Sequence, residues 1–295
     1  MPLVNLKDIQ ISRILAENPA SKSINILAKF KDRDGDVILL ISKPPFTKDL
    51  MQNIISEDTL AQVQLENDIY SQYSLTPKAE LNLLKSTVIY PATEKHINKY
   101  SDHQFYLLQE TPNDYRNITL PFIEKNAFSA QWVERILKHE SESENIIFED
   151  PDRDTGFILL PDLKWDKKQL SDLYLVAICH RHGLRSLRDL TSSDLPLLRN
   201  IRNQGIAAIK EKYGVNQSQL RIYIHYQPSY YHFHVHFTHV KYEAPGSVVG
   251  RAHLLEDVIE NLELFPNFYS QKTLSFVIQE CDALLAEYRK CGRLT

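Results

Sequence analysis

Five of the chain's eleven histidines fall in residues 225–239, which read H-Y-Q-P-S-Y-Y-H-F-H-V-H-F-T-H. Within this run His232, His234 and His236 alternate with Phe233, Val235 and Phe237. A period of two is the period of a β-strand, so the pattern predicts three imidazoles on one face and three apolar side chains on the other. The apolar face must be buried. The other face carries groups that donate, accept or attack near neutral pH. Three uses are open on spacing alone. The imidazoles can be structural groups satisfied by neighbours. Two of them, about 6–7 Å apart along the strand, can bend toward one zinc ion. Or one can attack phosphorus, forming a phosphoramidate that splits one displacement into two easier steps. In that case its neighbours two residues away hold the phosphate oxygens, with Ser229, Tyr230, His225 and loop N–H groups as further donors.

The surrounding elements must position this strand. The spacing predicts strands at residues 221–226 and 231–240, joined through Gln227-Pro228-Ser229. Residues 173–179 form an unbroken apolar run, as in a strand buried on both faces, and Cys179 there is expected to be a buried, inert thiol. Short strands are expected at 146–148 and 156–160, and another at 273–278. Helices are expected at 127–139, 194–213 and 251–264. The second is bounded by Ser192 or Ser193, Pro196 and Gly214. Nearer the N-terminus, 23–30 and 37–42 read as strands around the turn D-R-D-G at 32–35. Lys43-Pro44-Pro45 ends the second. Thr47 or Asp49 can cap a helix near 51–55, and 83–90 reads as a strand stopped by Pro91. The polar stretch 93–104 reads as a linker. Helices and strands mix without regular alternation, which gives an α+β expectation. The expected division is an N-terminal β-rich domain over 1–100, a hinge over 101–110 and a C-terminal domain over 111–295.

Composition excludes several classes. The chain has 295 residues, 43% hydrophobic and 24% charged, as in ordinary globular proteins. It holds no apolar run of eighteen or more residues, and its first residues lack a secretory leader's apolar core. Neither a membrane nor an export route is expected. A net charge of −4 argues against a broad surface for duplex nucleic acid, while a small anionic ligand needs only a few local cations. Three scattered cysteines, Cys179, Cys281 and Cys291, suit neither a disulfide framework nor a thiolate zinc site, and fit a reducing compartment.

Residues 232–238 resemble the histidine-triad signature. The wider context, with E-A-P-G-S at 243–247, R-A-H-L-L at 251–255, G-F-I-L-L-P-D-L-K-W at 156–165 and H-R-H-G-L-R-S-L-R-D-L-T at 180–191, resembles the scavenger mRNA decapping enzymes. That resemblance covers most of residues 120–280 and is weaker in the first hundred. It implies an α+β fold with a C-terminal histidine-triad domain and an N-terminal domain swapped between the protomers of a homodimer. It also implies hydrolysis of the residual methylated mRNA cap, as dinucleotide or short capped RNA, to 7-methyl-GMP and a nucleoside diphosphate or diphosphate-ended oligomer. No cofactor and no metal are implied. His234 matches the nucleophile, His232 and His236 its flanking positions, and His225 a phosphate-side histidine. Ser229, Tyr230 and Arg251 match polar positions around the phosphates. Trp132 matches a tryptophan stacking on the cationic base and Glu142 a carboxylate reading guanine N1–H and N2–H. Leu163 matches the apolar residue on the base's other side. Pro161, Asp162 and Lys164 match contacts to base, ribose and phosphate.

Each of these has a plainer reading. Trp132 shares i, i+4, i+8 spacing with Phe128 and Ile136 and could be core. Glu142 sits in an acidic run, and Lys164 would ordinarily be a surface charge. Two other functions stay open on sequence: a different histidine-triad hydrolase, such as a dinucleoside polyphosphate hydrolase or phosphoramidase, and a non-catalytic cap-binding regulator. The chain begins with little extension before Leu6, so it is expected to lack the longer tail of some animal members. The expected compartment is the cytoplasm, with the nucleus as a second candidate.

Overall fold

The computed structural model describes residues 5–44, 46–126, 131–163, 165, 167–244 and 246–294. The chain divides into two units between His103 and Gln104.

The N-terminal unit is built on a four-stranded antiparallel sheet. Its order is β1 (Ile9–Asn18), β2 (Ser23–Phe30), β3 (Asp36–Ser42) and β6 (Lys85–Ala92). The β2–β3 turn places Gly35 at φ +108°, a conformation that side chains with a Cβ rarely adopt. Thr47 caps the Lys48–Ile54 helix by accepting from Leu50 N–H at 3.2 Å. Two expectations change here. First, Pro91 does not stop its strand. β6 is an edge strand with an irregular pairing opposite Asp36–Ile38, so the missing N–H is tolerated. Second, the expected linker contains a helix, Glu94–Tyr100. Thr93 N–H donates to His96 Nδ1 at 3.1 Å, closing a capping box, and Ile97 buries against Leu15, Leu27 and Ile38. A separate hairpin, β4 (Leu60–Asn67) with β5 (Tyr70–Thr76), exposes every residue of both strands.

In the C-terminal unit a six-stranded antiparallel sheet has the order β13-β11-β12-β10-β9-β8. These are β8 (Phe148–Asp150), β9 (Phe157–Pro161), β10 (Tyr174–Cys179), β11 (Leu220–His225), β12 (His234–His239) and β13 (Ala252–Leu254). An α+β architecture is what the structure shows. Three details differ from the sequence-based expectation. Residues 252–254 extend the sheet, pairing with 223–225, so the following helix begins at Leu255. β12 begins at His234 and leaves His232 just outside the strand. Residues 105–110, placed in the expected hinge, form β7 (Phe105–Glu110), which pairs antiparallel with β14 (Leu274–Gln279). Among the described residues no helix is long and apolar enough to cross a membrane.

The sheet's two faces differ. Phe157, Leu159, Leu175, Ala177, Val235 and Phe237 join the main core with Leu198, Ile201 and Ile209 of the Leu195–Tyr213 helix. That helix comes close to β12 because residue 205 is glycine. A Cβ there would lie 2.5 Å from the Phe237 ring, so the contact outweighs the roughly 1 kcal/mol that glycine costs a helix. Ile158, Leu160, Val176 and Ile178 face the other way, against Val133 and Ile136 of the Gln131–Leu137 helix. The second face also carries the histidines.

A buried ion pair anchors β7 to the segment that follows β10. Glu110 and Arg188 have wholly buried side chains and meet at 2.8 Å. Glu110 Oε1 also accepts from the Tyr226 hydroxyl. Its Oε2 accepts from the Tyr288 hydroxyl at 2.9 Å and from Gln227 Nε2 at 3.4 Å. Arg188 Nη1 donates to the Tyr269 carbonyl at 2.8 Å. Removing one partner strands the other charge in the interior, at about 3–5 kcal/mol. Glu110→Ala is therefore expected to lower unfolding free energy by that amount in a denaturant titration. A loss under about 1 kcal/mol, the size seen for an exposed pair, would contradict the arrangement.

Candidate active site

Cross-strand register places the histidines. His234 lies opposite Ile178 and His236 opposite Val176 on β10, while His236 also lies opposite Tyr223 on β11. Cross-strand partners share a face, and so does His225, two residues beyond Tyr223. The same-face set is therefore His225, His234 and His236, not the 232/234/236 row that alternation alone suggests. Ring centroids of His225 and His236 are 4.2 Å apart, and those of His234 and His236 4.9 Å. Gly246 makes room for His225, because a Cβ at 246 would fall on its ring.

His232 turns elsewhere. Its Nε2 donates to the Cys179 carbonyl at 2.8 Å, and its own carbonyl accepts from His234 Nδ1 at 2.8 Å. A carbonyl only accepts, so the second contact puts the His234 proton on Nδ1 and the lone pair on Nε2. His234 Nε2 has no hydrogen-bond partner among the described residues. Burial pushes the His234 pKa down to about 4, against the opposing effect of the His232 carbonyl. Tyr230 stacks on the His234 ring at 4.0 Å and 15°. Burial raises the Tyr230 hydroxyl well above its usual range, with a further push from Asp162, and it stays protonated. The Cys179 thiol is raised by burial to about 12, which removes it as a nucleophile at neutral pH.

A cavity of about 430 Å³ lies over this face. Its wall includes His225, His234, His236, Ser229, Tyr230, Trp132, Glu142, Pro161, Asp162 and Leu163. Ten of the sequence-derived site residues thus meet in one place. Trp132 is 39% exposed and packs edge-on against Tyr230 at 4.7 Å, while Val133 and Ile136 supply the helix's core contacts. It is a wall residue rather than core. Glu142 is half-buried at φ +57°, and its Oε2 accepts from Asn145 Nδ2 at 2.5 Å. It is not a freely solvated member of an acidic run. Leu163, 90% exposed, forms the rim. Arg251 is not on this wall. With Gln227 and Ser229 it lines a neighbouring cavity of about 310 Å³, so Ser229 borders both. Lys164 and Phe128 lie outside the described residues. Sequence reading missed Arg135 and Ser141 on the wall. Arg135 is three residues after Trp132, and that spacing alone puts both on one helix face.

Keeping His234 neutral has a cost that depends on pH. Its ordinary value is 6.5 and its folded value is about 4. Below 6.5 the unfolded chain takes up a proton that the folded chain refuses. The contribution to stability is complete above pH 6.5 and is lost as pH falls toward 4, about 3 kcal/mol in all. Burial lowers His232 in the same direction. Denaturant midpoints measured from pH 7 to pH 4 should fall more steeply for the natural chain than for His234→Asn. Equal slopes would show that the ring titrates normally.

Two family models match the chain: "Scavenger mRNA decapping enzyme (DcpS) N-terminal" over residues 4–103 and "Scavenger mRNA decapping enzyme C-term binding" over residues 131–250. The human m7GpppX diphosphatase is 49% identical over 281 residues, covering 94% of this chain and 83% of that protein. The Ascaris suum m7GpppX diphosphatase is 48% identical over 283 residues, covering 96% and 94%. The Schizosaccharomyces pombe m7GpppX diphosphatase is 41% identical over 286 residues, covering 93% and 92%. Matches of this extent at both ends, together with the histidine strand and its cavity, place the chain in the scavenger mRNA decapping enzyme family.

Proposed function

We propose that this chain hydrolyses the methylated cap left on dinucleotides or short RNAs, releasing 7-methyl-GMP and a nucleoside or oligonucleotide diphosphate. The relatives named m7GpppX diphosphatase support the reaction. The observation that carries the mechanism is the unprotonated Nε2 of His234, pointed by the His232 carbonyl. That nitrogen forms a bond to the phosphorus next to methylguanosine while the bond to the leaving diphosphate breaks. Water then attacks the same phosphorus, the N–P bond breaks, and the imidazole returns neutral. A ring that is neutral from about pH 4 upward needs no prior deprotonation. His236, His225 and Ser229 hold phosphate oxygens, His232 fixes the nucleophile, and Arg251 meets the phosphate chain from the adjoining cavity. No metal or cofactor takes part in these steps.

Trp132 and Glu142 read the base. N7-methylation leaves guanine cationic, and such a ring gains about 0.5–2 kcal/mol on an indole face. Glu142 accepts from guanine N1–H and N2–H, Leu163 closes the other side, and Pro161 and Asp162 contact base and ribose. His234→Asn should lower single-turnover cleavage of methylated cap dinucleotide on the order of 10³-fold or more while cap binding persists. Near-normal cleavage would defeat the assignment. Equal cleavage of methylated and unmethylated caps, or preference for adenine dinucleotides, would point instead to another histidine-triad hydrolase.

The working form is a homodimer with exchanged N-terminal domains, in a reducing compartment such as the cytoplasm and also the nucleus. The β4–β5 hairpin supports the dimer. It is a two-stranded sheet that exposes Leu60, Val63, Leu65, Tyr70 and Tyr73, with Ile69 at its tip. An isolated hairpin is marginal in water, and a second chain would cover these side chains. Leu65→Lys with Tyr73→Lys should shift the mass in sedimentation equilibrium from dimer toward monomer. An unchanged dimer would place its interface elsewhere.

A further inference from the structure

We propose that His225, His234 and His236 form a binding site for a divalent transition-metal ion, zinc in particular, and that its occupancy silences the hydrolase. The three imidazoles come from adjacent strands, line one cavity, and are each less than 10% exposed. Their ligand atoms all lie within 4.8 Å of one another. Tetrahedral zinc with bonds of about 2.0–2.1 Å wants nitrogens about 3.3 Å apart, so small side-chain rotations bring the set onto one ion. An all-imidazole set selects zinc, copper or nickel over magnesium and calcium, which prefer oxygen. Three protein ligands leave a fourth position open toward the cavity. The His234 Nδ1–H to His232 carbonyl contact also suits a metal ligand, because it holds the ring with Nε2 presented.

Silencing follows from the atom involved. Zinc takes the lone pair on His234 Nε2 that attack on phosphorus requires, so coordination and turnover exclude each other. The silencing part rests on the proposed function, whereas the binding part rests on geometry alone.

Zinc chloride titrated into the chelator-treated chain by calorimetry should bind one ion per chain. Cobalt(II) in its place should give the visible absorption of a tetrahedral imidazole site. His225→Ala and His236→Ala should each weaken zinc at least about tenfold. His232→Ala should weaken it much less than either, because that side chain turns toward Cys179 and is not a ligand. His225→Gln and His236→Gln, with thermal unfolding of every variant, guard against a folding defect. Cleavage of cap dinucleotide should fall as zinc is added, return with excess chelator, and ignore equal magnesium. Absence of binding at micromolar zinc, or equal affinity in the His225 and His236 variants, would overturn the site. Zinc that binds there without slowing cleavage would overturn the silencing. A chain that cleaves no cap at all would defeat the functional reading, and the calorimetry would still decide the metal site.

Discussion

One hydrogen bond, from His234 Nδ1 to the carbonyl of His232 at 2.8 Å, decides what this site can do. It sets the tautomer and the ring's direction together. Without it the lone pair could sit on Nδ1, facing the chain's own backbone. The acceptor is itself held in place. Phe233 N–H donates to the Leu184 carbonyl at 2.9 Å, Cys179 N–H donates to the Phe233 carbonyl at 3.3 Å, and the His232 ring is tied to the Cys179 carbonyl. The strand's entry is therefore fastened to β10 on one side and to the 184 loop on the other.

Burial makes that bond useful and also imposes a cost. Desolvation holds His234 neutral, and the unsatisfied Nε2 is a polar group paid for elsewhere in the fold. The opposite face of the same segment offsets it. Phe233, Val235 and Phe237 are essentially fully buried in the main core, each contributing about 1.5–3 kcal/mol. Alternation lets one short strand do both, since a shift of one residue would send the aromatics into the cavity and the imidazoles into the core. The Glu110–Arg188 pair, bonded through Tyr226 and Gln227, then fixes the loop that carries Ser229 and Tyr230.

Much of this was legible in the residues. Period-two alternation from His232 to Phe237 announced a strand with functional and structural faces, and the apolar run before Cys179 announced its central neighbour. Asp32-Arg33-Asp34-Gly35 and Gly214 marked turn and helix end by backbone chemistry that is local and therefore readable. What stayed hidden depends on partners distant in sequence. Nothing near His232 says that its ring will meet the Cys179 carbonyl, so alternation alone overextended the strand. Residues 252–254 look like a helix start until β11 is beside them. The helix after Thr93 looks polar because only Ile97 is buried. Helical spacing could not decide whether Trp132 was core or wall, because both sides of that helix carry apolar residues. Within the site, the resemblance to a family identified the base-pocket residues, and the structure then brought those that it describes around one cavity.

The central claim is covalent attack by one atom of one ring. It is tested most directly by acid-free rapid quenching of the chain with methylated cap dinucleotide, followed by mass spectrometry of the peptides. The account predicts a transient 7-methylguanylate adduct on His234, absent from unreacted protein and from protein given methylguanosine alone. A full burst of product with no adduct, or an adduct on another residue, would contradict it.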